Sequence, residues 1–528
     1  MKIVASGILI SLLVSSCTQK NQDLEYGLKY DETLRTNLNT EPPTLDWSRI
    51  TDTTSAEVVS NIMDGLVAYD LNSPDMALKP ALAESWEATD QAKTWTFKLR
   101  QGVKWSDGKE FTAQDVLDGW ERLLNPATAA EYAYNLFSIV GAKEYNEGKL
   151  KDFSQVGVEV KDGSTLVVRL KQSKSFFPYF MTHHSTYPMR KDVVTKHGDK
   201  WTQPGNLVTL GPYNLKIWDH EKSIVLERND SYWGEKAKTK NILMYMILET
   251  ATAMALYEAD KLDSLNTLPS TEMTVLEKRP DFRRAPNLYL YYYGFNTSRK
   301  PMDNVLVRKA FNHAIDKNEI VRMLATGYEP AKSWIPTGIL AANDEIGLDF
   351  NVEKAKTLLD EAGYKDRSKF PRLVLSINTN EDHKRIAENV QAQLKRNLAL
   401  EIEIRNEEWK VYLNTLKTNP EHIWRMGWVG DFPDPDNFMD LMTSYSDQNR
   451  TRWGNPNYDK LVEQAKSEFD PEKRKELYDQ AQRIMVEVDV PVVPLYFGVQ
   501  NKIIKPRVKN YPVNVLMVYR YSNVELEK

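Results

Sequence analysis

Apolar positions recur along the chain with two different periods. In Lys93–Leu99 (KTWTFKL), Trp95, Phe97 and Leu99 alternate with polar residues, the period of a strand with one buried face. Asp107-Gly108 in the WSDGKEF stretch that follows marks a tight turn. From Phe111 the spacing becomes helical (FTAQDVLDGWERLL), with Thr112 as N-cap and Asp115 at the capping-box position. Further strands are predicted at Ser164–Leu170, Ser223–Arg228 and Leu288–Asn296. Helices are predicted from Asn351 to a C-cap at Gly363, and from Asp470 with Pro471 in the first turn. The two periods mix without strict alternation or a fixed repeat, which predicts an α+β or α/β chain of several domains.

The length, 528 residues, exceeds one ordinary core and predicts two or three domains. Charged residues at 27% and hydrophobic residues at 41% are those of a globular protein. A formal net charge of -5 argues against a dedicated nucleic-acid binder. Much of the supply of 13 Trp and 26 Tyr is ordinary core, but it also suits a large wet cavity lined with rigid amphipathic rings. At the N-terminus, MKIVASGILISLLVSSC places Lys2 before an apolar run from Ile3 to Val14. That run is too short to span a bilayer and predicts a signal peptide over residues 1–16. Val-Ser-Ser-Cys matches the lipobox pattern, so Cys17 is the expected site of acylation and membrane anchoring. Residues 17–23 then form a polar leash. The alternative is a plain signal peptide with an incidental Cys. Cys17 is the only Cys, so the mature part has no disulfide and no Cys-based metal or nucleophile site.

Catalytic chemistry is sparse. There are seven His residues; His183 and His184 are adjacent and expected to point apart, a poor chelate. The sequence contains no HExxH, no GxSxG elbow, no GxxxxGK[ST] loop and no GxGxxG opening a helix. Asp431, Asp434 and Asp436 form an acidic loop that lacks EF-hand spacing and is broken by prolines. No metal, cofactor or catalytic residue is therefore expected, although triads are assembled by fold and their absence from the sequence pattern lowers an enzyme reading without removing it.

One stretch carries binding chemistry: IWRMGWVGDFPDPDNF, Ile423 to Phe438. If Arg425 to Asp431 is extended, Arg425, Gly427, Val429 and Asp431 share one face and Met426 and Trp428 the other. At about 3.3 Å per residue the two charges lie up to roughly 20 Å apart, the scale of a short extended peptide. An ionised Asp accepts from an ammonium, and Arg offers a planar donor fork to a carboxylate. Gly427 and Gly430 are expected to let a second backbone approach, so that the exposed strand binds through main-chain hydrogen bonds. The plainer alternative has Asp431 opening a Pro-rich turn and Arg425 in a surface ion pair.

The run LAESWEATDQAKTWTFKLRQGVKWSDGKEFTAQDVLDGWERL, Leu82 to Leu123, resembles the peptide-binding lipoproteins of ABC importers, the periplasmic oligopeptide-binding family (extracellular solute-binding family 5). The resemblance continues through KWTQPGNLVTLGPYNLKIW, IVLERNDSYW, YYYGFNTSRKPMDNVLVRKAFNHAID, EEWKVYLNTL and VPVVPLYFGVQNKIIKP, and so covers essentially the whole mature chain. It implies a three-lobed α/β fold, a periplasmic-binding-protein type II fold closing over its ligand. Residues 24–63, 190–288 and 500–528 would form lobe I, 64–189 the extra lobe II, and 289–499 lobe III. It implies that Asp431 holds a peptide's α-amino group and that Gly427, Trp428 and Val429 pair with its backbone, with Thr51 to Thr53 pairing from the other side. Arg425 and His383 match positions that meet the carboxylates of ligands of different length. Trp409 and Tyr132 match positions lining side-chain pockets, though either is also an ordinary core residue type.

The chain departs from the family pattern in places. Where relatives have a Cys pair it has Tyr289 and Val429; a family Arg is replaced by Leu416, with Lys417 beside it; a pocket Tyr is replaced by Gly498. The implied function is capture of short peptides outside the cytoplasmic membrane by a lipid-anchored monomer, which delivers them to an ABC permease and catalyses no reaction. The alternatives are another solute on the same scaffold (a murein tripeptide, a sugar or a metal chelate) or a peptidase.

Overall fold

The computed structural model describes residues 24–71, 73 and 76–527; the expected signal peptide, Cys17 and leash lie outside them. The predicted local elements form for the expected reasons. Strand Thr94–Leu99 buries Trp95, Phe97 and Leu99 and leaves the residues between them more exposed. Helix Ala113–Leu124 starts where the Thr112 N–H donates to Asp115 Oδ2 at 2.8 Å. Its Val116, Trp120 and Leu123 are buried at helical spacing. Asp470 caps helix Pro471–Arg483 by accepting from Glu472 and Lys473 N–H groups. The helix entered from Asn351 is α-helical over Val352–Leu359, then widens by one residue per turn and ends around Gly363 at φ 91°.

Three principal sheets carry the fold. The first runs in the order Thr33–Asn37, Asn241–Tyr245, Ser223–Arg228, Tyr213–Asp219, with only the first pair parallel. The second is antiparallel throughout: Ala83–Thr89, Thr94–Leu99, Thr165–Arg169, Val158–Asp162. The third has seven strands and is mixed. At its centre Phe282–Phe295 lies antiparallel between Val492–Ile504 and Ile423–Val429, and Leu373–Asn378 and Ile402–Glu407 follow in parallel. Phe282–Phe295 begins six residues earlier than its apolar alternation predicts, because Phe282–Pro286 pairs through its backbone with Val499–Ile503 while its side chains are largely exposed. The far end of Val492–Ile504 also pairs with Ser264–Leu265. These two long strands therefore run from the third sheet to the neighbourhood of the first. Together the elements make a mixed α/β architecture.

That neighbourhood is held by one carboxylate. Asp263 is fully buried and accepts from Arg35 Nε (2.9 Å), Arg35 Nη2 (2.6 Å), Arg507 Nε (2.8 Å) and Arg507 Nη2 (3.0 Å). The Arg35 backbone N–H donates to it as well, at 2.8 Å. Burial pushes its pKa up, but the two guanidiniums outweigh burial and hold it below the usual carboxylate value. The contact ties the first strand, the Ser264–Leu265 segment and the C-terminal region to each other. Asp263→Ala would leave Arg507 without a carboxylate and Arg35 with only the half-exposed Asp260 at 3.7 Å, and is expected to destabilise the protein by about 3–5 kcal/mol, read as a lower midpoint in urea unfolding.

Candidate binding site

The strand Ile423–Val429 is paired on one side along its whole length, from Tyr289↔Val429 to Phe295↔Ile423. On the other side Leu373–Asn378 accompanies it only at Leu375↔Ile423 and Ser376↔Trp424. The hydroxyl of Tyr412 fills the fork, accepting from the Arg425 N–H at 2.9 Å and donating to the Arg425 carbonyl at 2.6 Å. Arg425's backbone groups thus point away from Phe282–Phe295. By the two-residue period, those of Gly427 and Val429 point the same way. No strand of the described residues covers that edge. It borders a cavity of ≈ 470 Å³ lined by all ten predicted contact residues, Thr51, Thr53, Tyr132, His383, Trp409, Arg425, Gly427, Trp428, Val429 and Asp431 among others.

At the end of the strand the chain turns. The Asp431 N–H donates to Asn437 Oδ1 (2.8 Å), and Asn437 Nδ2 returns a bond to Asp431 Oδ2 (3.2 Å). The same Asn437 oxygen accepts from the Trp428 indole at 3.0 Å. The carboxylate is thereby oriented, with its Oδ1 3.6 Å from His183 Nε2 and its side chain 19% exposed. Tyr69 donates to the Asp431 carbonyl at 2.8 Å. Tyr132 packs its ring 4.4 Å from His183, and its hydroxyl pKa is raised well above 10, by burial first and by the Asp431 charge second. The other acidic-loop residues serve different partners: Asp434 pairs with Arg474 at 2.7 Å, and Asp436 lies 4.0 Å from Lys174. Asp431 is therefore not the start of a solvated turn.

Arg425 lies at the other end of the open edge, 8% exposed. Its Nη1 donates to Asn378 Oδ1 (3.1 Å), its Nη2 to the Tyr289 hydroxyl (3.2 Å), and its guanidinium sits 4.7 Å over the Tyr291 ring. No carboxylate of the described residues forms an ion pair with it, and its Nε is buried without a partner. This is not a surface ion pair. His383 lies near the N-terminus of helix Glu381–Leu398, where Asn380 caps its N–H, and its Nδ1 is 3.4 Å from the Tyr291 hydroxyl. Burial, then the nearby Arg425 charge, lowers its pKa well below 6.5.

Several expectations are revised. Thr51 and Asp52 are extended, but Thr53 is the first residue of helix Thr53–Ile62, capped by Asp52. As first helical residue, Thr53 has an N–H with no intrahelical acceptor and offers it outward without forming a strand. Gly427 and Gly430 do not open the strand to a second backbone. The missing side chains of glycine open a sheet's face, whereas pairing occurs at its edge. A Cβ on Gly427 would collide with the Tyr289 hydroxyl, and one on Gly430 would lie 3.3 Å from Leu288 and Phe438. Lys417 does not enter the cavity: it pairs with Glu131 at 3.1 Å, beside an Arg450–Glu131 contact. His183 and His184 face each other with ring centroids 3.9 Å apart, because the chain turns into a short 3-10 segment at His184. Trp409 opens helix Trp409–Thr418. Tyr69, His183 and Asn437 were missed as partners of Asp431; Tyr69 and His183 come from distant segments, and no local pattern marks any of the three.

An enclosed chamber between sheets, with a carboxylate and a guanidinium at the two ends of an open strand edge, is the site of a clamshell solute-binding protein. The chain belongs to the bacterial extracellular solute-binding proteins, family 5, whose model matches residues 77–450. The oligopeptide-binding protein OppA of Bacillus subtilis (strain 168) is 34% identical over 515 residues, 94% of this chain and 93% of that protein. The Haemophilus influenzae OppA complex with RPPGFSPFR has TM-score 0.89 and 31% identity over 95% of this chain and 100% of that one. The Escherichia coli murein tripeptide binding protein MppA has TM-score 0.90 and 30% identity over 94% and 99%. MppA in its unliganded open form, at the same 30% identity and covering 94% and 98%, has TM-score 0.64. At the same identity, the present structure is therefore less like that unliganded open form than like the other MppA structure.

The His383 environment generates a pH dependence. A His with a lowered folded-state pKa contributes stability that is full above the unfolded value of 6.5 and is lost as pH falls toward the folded value. His383→Gln is expected to make the fall in melting temperature between about pH 6.5 and 5 shallower. His184, lowered likewise by burial and by His183, remains as background. An unchanged slope in a thermal-shift series would contradict the neutral, enclosed imidazole.

Proposed function

We propose that this chain captures short peptides outside the cytoplasmic membrane, by their backbone and charged termini, and delivers them to an ABC permease. The observation that carries the reading is the open edge of Gly427 and Val429 between Asp431 and Arg425. The edge supplies main-chain partners that read no side chain, Asp431 accepts from the ligand's ammonium, and the Arg425 guanidinium, which pairs with no carboxylate of the described residues, receives the ligand's carboxylate. His383, neutral in the enclosed site, serves a chain of different length, and Trp409, Tyr132 and Trp428 line side-chain space. One relative is described as an oligopeptide-binding protein, and another was solved as a complex with RPPGFSPFR. Family members are substrate-binding proteins, and no reaction is assigned to this chain.

The lobes proposed are residues 24–63 with 190–288 and 500–528, residues 64–189, and residues 289–499, closing as ligand contacts both sides. Asp431→Ala is expected to weaken binding of a free tripeptide to tetrapeptide by about 2–5 kcal/mol in calorimetry. N-acetylating the peptide should do the same to the unaltered protein. Equal affinity for acetylated and free peptide would refute the ammonium role. The murein tripeptide reading is favoured by the MppA likeness, and preferential binding of that ligand in the same titrations would establish it.

The anchor is proposed at Cys17, with residues 1–16 removed and the protein acting as a monomer on its leash. Among the described residues no helix is long and apolar enough to cross a membrane. Cys17→Ala should abolish incorporation of labelled palmitate and shift the protein from the membrane fraction to the soluble one. Retained label would place the acyl chain elsewhere.

A further inference from the structure

Tyr289 occupies an unusual seat. It lies on Phe282–Phe295 opposite Val429, on the sheet face that also carries Arg425, Gly427 and Tyr291. The two strands flanking its own each present a glycine where its ring passes. On one side is Gly427, whose added Cβ would strike the Tyr289 hydroxyl; on the other is Gly498, whose Cβ would lie 2.5 Å from Tyr289 Cδ1. Gly498 falls within the register shift between Pro286↔Val499 and Leu290↔Phe497, where it alone stands opposite Asn287 to Tyr289 and the bulge lies in the Phe282–Phe295 strand. The ring is thus socketed between two residues that have no side chain, and it lines the cavity. Tyr496 and Tyr328, stacked at 4.6 Å, wall the same end, with Tyr291 stacked on Tyr496 at 4.7 Å.

The hydrogen-bond direction at this seat is fixed. Arg425 Nη2 is a donor only, so the Tyr289 oxygen accepts from it at 3.2 Å, and the hydroxyl hydrogen remains free to donate onward. Beside it, Arg425 Nε is buried and unpartnered. Arg425 and Tyr289 both line the cavity, and no carboxylate of the described residues pairs with the guanidinium. A carboxylate arriving at this end meets the charged group and, beside it, the free donor of the Tyr289 hydroxyl, polarised by the guanidinium behind it.

Resting on the peptide-binding reading, we infer that Tyr289 is a specificity-determining residue: its socketed phenol ends the chamber at Arg425 and donates to the ligand's terminal carboxylate. Any side chain at 427 or 498 is incompatible with that seat, so the three positions act as one unit. Tyr289 sets both how far a bound chain extends and which terminus it presents.

The test is calorimetry on the full mature chain with tripeptides to pentapeptides, each as the free acid and as the C-terminal amide. Tyr289→Phe is expected to weaken binding of the free acid about tenfold to a hundredfold and to leave the amide within about twofold, as loss of one charge-assisted hydrogen bond requires. Tyr289→Ala is expected to move the preferred length up by one residue, an advance of about 3.3 Å. Thermal unfolding of each variant establishes that it is folded. Should Tyr289→Ala not fold, the pair Gly498→Ala and Gly498→Ala/Tyr289→Phe serves. The socket predicts that Gly498→Ala lowers free-acid affinity and distorts the length profile with Tyr289 present. Equal loss for acid and amide in Tyr289→Phe, or an unchanged acid affinity, overturns the inference while wild-type binding and its Asp431 dependence stand. Failure of the wild-type protein to bind any peptide overturns the peptide reading itself.

Discussion

The site depends on a strand that is satisfied on one side only. Backbone N–H and C=O groups enclosed away from bulk water must find partners, since leaving them unpaired costs as much as a lost hydrogen bond. Along Ile423–Val429 the inner edge is fully paired, and the outer edge loses its neighbour after two residues. Tyr412 caps the fork at Arg425, and beyond it Gly427 and Val429 face the chamber. A ligand that brings donors and acceptors at strand spacing completes the sheet. The side chains then need only hold the ends, which explains why the charged groups sit at the limits of the edge and why its middle offers main chain.

The two ends are prepared differently. Asp431 is oriented by Asn437, which also fixes the Trp428 indole, so strand and carboxylate move together. Its surroundings come from remote segments through Tyr69, Tyr132 and His183. Arg425 is instead ringed by tyrosines of its own sheet, in a setting that offsets part of the loss of water through π contact and hydroxyls without supplying a counter-charge. One end thus reports contact between separate parts of the chain and the other belongs to one sheet alone.

Local structure was legible in the sequence wherever short-range forces decide it. Trp95, Phe97 and Leu99 declared their strand by alternation, and Thr112 with Asp115 declared a helix start. All ten predicted contact positions came together, because the family resemblance carried long-range information that periodicity lacks. The misses are those of tertiary origin. Phe282–Pro286 is a strand through backbone pairing without an apolar pattern. The two histidines face each other because a turn intervenes. Gly427 read as an opening and Gly498 as the loss of a pocket Tyr, yet both are the space that one tyrosine of the strand between them requires.

Tyr289 and Val429 are directly opposite each other across two strands, the place where relatives were expected to carry a covalent staple. Here the same strands are joined by ladder bonds and by a ring held between glycines. With no second thiol anywhere in the chain, assembly of the chamber needs no oxidant and no isomerase, and no wrong sulfur pairing competes with it. The protein's folding is therefore indifferent to the thiol-oxidising capacity of the compartment it enters, and its one thiol stays available for a different bond.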